Sequence, residues 1–174
     1  MLISTHVLAG IVISQHAPNT FWAFLLSLIS HYVLDIIPHG DQNIIKWIRR
    51  GPKKPRIFLF LAVDLSLLFI FLVTAYSKTQ LPSPKILVAA IIGSALPDLM
   101  WFAHEYIYKK YLYHRKTLRT IFRKYLQFEH ILDNNYKIHD YVHDLLHINI
   151  SLKFGALIQI VIIVILLYIC LKIS

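Results

Sequence analysis

TFWAFLLSLISHYVLDIIPHGD, residues 20–41, is the stretch from which the rest of the chain is best read. Its apolar part, Thr20–Ile37, comes close to the ~20 residues that a bilayer-crossing helix needs. Yet His31 and Asp35 sit inside that run, four positions apart, and His39 continues the stripe after Pro38. Side chains four apart share one helix face. An ionisable group inside a bilayer costs about 2.5–3.5 kcal/mol on insertion scales, so it needs a partner or a wet cavity. The stretch reads as a membrane helix that carries part of a polar site.

The whole composition agrees. The chain has 174 residues, 57% hydrophobic and 16% charged, with mean hydropathy +0.58. Disorder is excluded by the apolar content. A disulfide scaffold is excluded because Cys170 has no second cysteine to pair with. An ordinary soluble domain holds about 25% charged residues and would leave too much apolar surface wet here. The length suits one domain, a single membrane-embedded helical unit over residues 1–174.

Outward from the quoted stretch, three more runs have spanning length: Ile57–Tyr76, Ile86–Tyr108 and Leu152–Leu171. Leu2–Ser14 is shorter and is open to being tilted, re-entrant or partly inserted. It lacks the basic start of a signal peptide, and His6 interrupts it. The expected fold is an all-α polytopic bundle of four to five spans.

The net charge of +9 is concentrated in two places. Six of the 18 Lys and Arg lie in Lys46–Arg56 and seven in Lys109–Lys124, both beside apolar runs. A helix pair separates the clusters, so both fall on one side, which the positive-inside rule makes cytoplasmic. The membrane is then an inner, plasma-type membrane. Within Glu105–Gln127, Ile107, Tyr111, Leu118, Ile121, Phe122 and Tyr125 recur at helical spacing, with Lys109, Lys116, Arg119 and Arg123 on the other side. That pattern suits a basic amphipathic helix on the inner leaflet, binding anionic headgroups through Lys109–Lys124. A solvated charge run over a packed stripe is the plainer reading. The placement between membrane elements argues against nucleic acid as partner. Asp133–Tyr136 reads as a turn and Lys137–Ile148 as a short helix.

Further ionisable groups fall at the depth of His31 and Asp35. Asp64 lies seven positions inside Ile57, Asp98 ten before Tyr108, and His6 near the start of the first run. At 1.5 Å rise per residue these groups share a slab roughly 10 Å thick on the cytoplasmic side. His139, His143 and His147 repeat the four-residue spacing before the last run. A His and a carboxylate four apart on a helix grip one metal ion from one face. The expected ligands are His6, His31, Asp35, His143 and His147, with Asp64 or Asp98 outside the ligand set as general base. These donors suit a divalent metal, zinc first, and also iron, manganese or nickel.

Each residue also has a plainer reading. His6 caps a helix start, His31 and Asp35 satisfy each other, and Asp64 is a packing partner between helices. Pro97 frees the carbonyl of Gly93 and bends its helix, which favours a cavity beside Asp98. His39 and Asp41 follow Pro38 at the interface, where water satisfies them. His104, His114 and His130 read as headgroup anchors. Asp140 and Asp144 read as supports for the histidines or as exposed charges.

Thr5-His6…Gly10, Ser30-His31…Asp35…Pro38-His39-Gly40-Asp41 and Gly93…Leu96-Pro97-Asp98 resemble motifs of a bacterial family of predicted membrane-bound metal-dependent hydrolases. These are inner-membrane proteins, with one branch regulated by or binding the SOS repressor LexA. The likeness covers roughly the first 105 residues by motif. The His-x-x-x-Asp spacing is also similar to that of zinc-dependent phospholipase C, an all-α fold with a multi-zinc site. Met100 stands where the first family commonly has a second acid, and Leu118 where its second histidine falls. The resemblance implies a membrane-bound metal-dependent hydrolase. The basic flanks favour an anionic lipid or a lipid-linked phosphoester as its substrate. The alternatives are a proton or ion relay through the same groups, and a non-catalytic scaffold for a cytoplasmic protein partner.

Overall fold

Asn19 sets the start of the helix that holds His31 and Asp35: its side-chain oxygen accepts the amide of Trp22 at 3.1 Å, an N-cap. The helix ends at Ile36, and Ile37 is extended, as the residue before a proline prefers. The computed structural model describes residues 1–40, 50–78, 81–104, 128–146 and 150–172, with positions 47, 120 and 148 besides. Its elements are α1 (Ile3–Ser14), α2 (Thr20–Ile36), α3 (Lys53–Lys78), α4 (Pro84–Phe102), α5 (Phe128–Asp144) and α6 (Leu152–Lys172). Every regular element among the described residues is a helix.

Three of them are long and apolar enough to cross a membrane: Pro55–Ser77 in α3, then α4 and α6. Most of their surface faces outward. Phe58, Phe69, Tyr76, Phe154, Ile160 and Val164 are all more than half exposed, which suits lipid and not water. α2 has 17 residues and α1 has 12, so α1 is about 18 Å long against a hydrocarbon layer of about 30 Å.

α1 is nonetheless the most enclosed helix. It packs against α2, α3, α4 and α6, and Ser4–Ile11 and Ser14 are all buried. Small and weakly polar residues make this possible, as in other membrane helix interfaces. A Cβ added at Gly10 would lie 2.9 Å from Ser94 Oγ and 3.0 Å from the Ala90 carbonyl, so α1 and α4 touch there. One added at Gly93 would overlap the Phe24 carbonyl, which brings α4 close against α2. Buried between these helices are Val7, Ile11, Ala75, Ala95 and Cys170.

The first turn of α1 has no cap of its own. Distant side chains satisfy its free amides instead. Leu2 N–H donates to Gln159 Oε1 at 3.0 Å, Ile3 N–H to Asp64 Oδ2 at 3.1 Å and Ser4 N–H to Asp64 Oδ1 at 2.9 Å. Backbone amides with no water nearby must find partners inside the protein.

α5 corrects one expectation. Asp133–Tyr136 is helical, not a turn, and the helix starts at Phe128. Asp and Asn break helices when their side chains bond the nearby backbone. Here they are engaged elsewhere: Asn135 donates to the Pro97 carbonyl at 3.1 Å and accepts from Tyr32 Oη at 3.1 Å. α5 is also turned inside out, with Asn135 and His139 buried and Ile131, Ile138 and Tyr141 exposed. Most of the expected basic helix Glu105–Gln127, with all the Lys and Arg of Lys109–Lys124, lies outside the described residues.

Candidate metal centre

Asp35 stands at the centre of the site, fully buried near the end of α2. Its Oδ2 lies 3.0 Å from His31 Nε2, 3.3 Å from His143 Nε2 and 3.6 Å from His139 Nε2. Its Oδ1 lies 3.1 Å from the Met1 ammonium, 3.2 Å from His6 Nε2 and 3.9 Å from His39 Nε2. The second carboxylate is Asp98 of α4, with Oδ1 3.1 Å from His139 Nε2 and 3.8 Å from His31 Nε2. Four helices contribute: α1 gives His6, α2 gives His31 and Asp35, α4 gives Asp98, and α5 gives His139 and His143.

The backbone aims the rings. His31 Nδ1 lies 2.7 Å from the Ser94 carbonyl, and His39 Nδ1 lies 2.6 Å from the Ile37 carbonyl. A carbonyl only accepts, so each Nδ1 carries the hydrogen, and in the neutral ring Nε2 presents its lone pair to the carboxylates. Lone pair against carboxylate is repulsive unless a proton or a cation lies between. Carbonyl contacts of this kind are what orient histidines around metals. Ring packing adds to the fixing: His6 stacks on His31 with centroids 3.9 Å apart.

Two donor groups have ligand atoms within 4.8 Å of one another: His31, Asp35, Asp98 and His139, and Asp35, His39 and His143. Two ligands about 2.0–2.2 Å from one tetrahedral ion stand roughly 3.3–3.6 Å apart. The closest contacts in the first group run from 3.0 to 3.8 Å. His31 Nε2, Asp35 Oδ2 and Asp98 Oδ2 are buried with no hydrogen-bond partner. Buried polar atoms are rarely left so, and all three belong to residues of one donor group. The residues present therefore fit a divalent cation.

Of the expected site residues, His6, His31, Asp35, Asp98 and His143 come together here. Asp64 does not: it belongs to neither group, and both its oxygens hold amides of α1. It fixes instead the first turn of the helix that carries His6. His147 lies outside the described residues, as does Asp41. Asp140 is exposed.

Two members of these groups were missing from the expected ligand set. His139 lies one turn before His143, and His39 lies one turn after Asp35. The same four-residue spacing marks both. Pro38 obscured His39 by suggesting a wet interface, whereas it is 4% exposed. His104 is a correction too. It is buried, not a headgroup anchor, with Nε2 2.7 Å from Asp133 Oδ1 and its ring 4.8 Å from that of Tyr136. Around Pro97, the carbonyls of Ser94 and Pro97 take side chains of α2 and α5.

Family models, curated proteins and solved structures offer no match to the chain, and the centre is read from its own residues.

Proposed function

We propose that this protein is a metal-dependent hydrolase of the inner membrane, acting at the cytoplasmic face on the phosphoester of an anionic lipid or lipid-linked molecule. The observation that carries the reading is the buried group His31, Asp35, Asp98 and His139, whose ligand atoms lie within 4.8 Å of one another. Zinc is the metal the donors suit best. A bound divalent ion supplies a Lewis acid and an activated water near neutral pH. α1 and α2 complete the bundle beside the three long helices, the basic segments face the cytoplasm, and Lys109–Lys124 attracts anionic headgroups.

The chain's own residues divide the work. His31 and His139 each face both Asp35 Oδ2 and Asp98 Oδ1. Asp98 stands within the donor group, held at Oδ1 by His139, so it would bind the ion and not act as a separate base. Asp98 and His143 are also less enclosed than Asp35, at 16% and 19% exposure against 0%, so substrate enters between α4 and α5. The purified protein is expected to release phosphate or a phosphorylated headgroup from phosphatidylglycerol or phosphatidic acid vesicles, with Asp98→Asn about 100-fold slower. Stoichiometric metal with no turnover on any anionic phospholipid would overturn the hydrolase reading.

One observation favours a second reading, a proton relay. His6, His31, His139, His143 and His39 form an unbroken row of rings, with successive centroids 3.9, 5.7, 4.5 and 4.9 Å apart. Proton flux in liposomes, lost in His139→Ala, would support it.

A further inference from the structure

We propose that the site holds two divalent cations side by side, bridged by the carboxylate of Asp35; this rests on the metal-centre reading above. Asp35 is the residue common to both donor groups. On the α2 side, His31 and His39 flank it one turn before and one turn after. On α5, His139 and His143 stand one turn apart with ring centroids 4.5 Å apart. Each half-site thus draws one imidazole from either side: His31 with His139, and His39 with His143. Asp98 completes the first half.

The second half is built as the first is. The Ile37 carbonyl holds His39 Nδ1, so Nε2 is turned toward Asp35, as the Ser94 carbonyl does for His31. His143 reaches Asp35 Oδ2 at 3.3 Å while His39 faces Oδ1 at 3.9 Å, so the two rings approach different oxygens of one carboxylate. Their own centroids are 4.9 Å apart. The Met1 nitrogen lies 3.1 Å from Asp35 Oδ1 and 2.8 Å from His39 Nε2, so a second ion on this side takes the place of that nitrogen. Two-metal sites set their ions ~3.5–4 Å apart, a distance one carboxylate bridges. Two dications against two carboxylates leave a net positive site. The ligand class that fits is a phosphoester anion with an oxygen on each metal, as in other two-metal phosphotransfer sites.

The test is to strip the full-length protein in detergent with chelator, reload it with Mn(II), and measure bound metal and electron paramagnetic resonance. Two Mn(II) per chain with an exchange-coupled spectrum is the expected result. His39→Ala/His143→Ala should then bind one Mn(II) with an uncoupled six-line spectrum. One uncoupled Mn(II) in the wild type would overturn the bridged pair and leave the single-metal centre standing. No bound Mn(II), Zn(II) or Fe(II) would overturn both. If the double variant does not fold, His39→Gln serves as the milder change, and the wild-type spectrum alone decides.

Discussion

Each oxygen of Asp35 faces three positively charged or chargeable groups, and a neutral amide there would face them with half the acceptors and none of the charge. Asp64 has the opposite character, a carboxylate spent on two backbone amides. Leaving a buried donor unpaired costs about 1–3 kcal/mol. Asp64→Ala is therefore expected to lose about 2–4 kcal/mol of stability and the hydrogen-exchange protection of the Ile3 and Ser4 amides, while bound metal stays at the wild-type level. Loss of metal with unchanged stability would instead make Asp64 a ligand or base. From sequence alone the two acids look alike, since both stand in apolar runs at similar depth. What separates them is which backbone ends near them in space, and α1 meets α3 only through the tertiary fold. The histidine stripes were more legible, because a four-residue spacing holds on any helix.

At the scale of the helices, close backbone approach sets the site's dimensions. Gly93 lets α4 lie against the Phe24 carbonyl of α2, and the same two helices carry Asp98 and His31. Gly93→Ala must push them apart. Overpacking of this kind costs about 1–3 kcal/mol, and the expected signature is weakened metal affinity together with a lowered melting temperature. A variant that keeps wild-type affinity would show that the contact does not set the geometry. The long apolar helices were legible because length and hydropathy alone mark them. α5 was legible only in its second half. Its Asp133-Asn134-Asn135 segment has turn chemistry, and only the Asn135 bonds to Pro97 and Tyr32 explain why it stays helical.

Across the whole molecule, α1 is the surprise: the shortest apolar run occupies the middle. Its Ser4, Thr5, Gly10 and Ser14 would gain little by facing lipid, and small residues of this kind belong between helices. From sequence, His6, His31, Asp35, Asp64 and Asp98 share one depth; His6, His31, Asp35 and Asp98 do meet, whereas Asp64 at that depth turns to the amides of Ile3 and Ser4. An ion joining α2, α4 and α5 ties the less extensively packed α5 to the closely packed pair α2 and α4. Ligand at 1,000 times its dissociation constant adds about 4 kcal/mol. Chelation should therefore lower the melting temperature by on the order of 10 °C, and added Zn(II) should restore it.

The claim beneath all of this is that the convergent donors bind metal. Elemental analysis of detergent-purified protein, wild type beside His31→Ala/Asp35→Ala, tests it most directly. The account expects one to two metal ions per chain in the wild type and none in the folded double variant. A folded wild type free of metal, or a double variant that keeps it, would contradict the account.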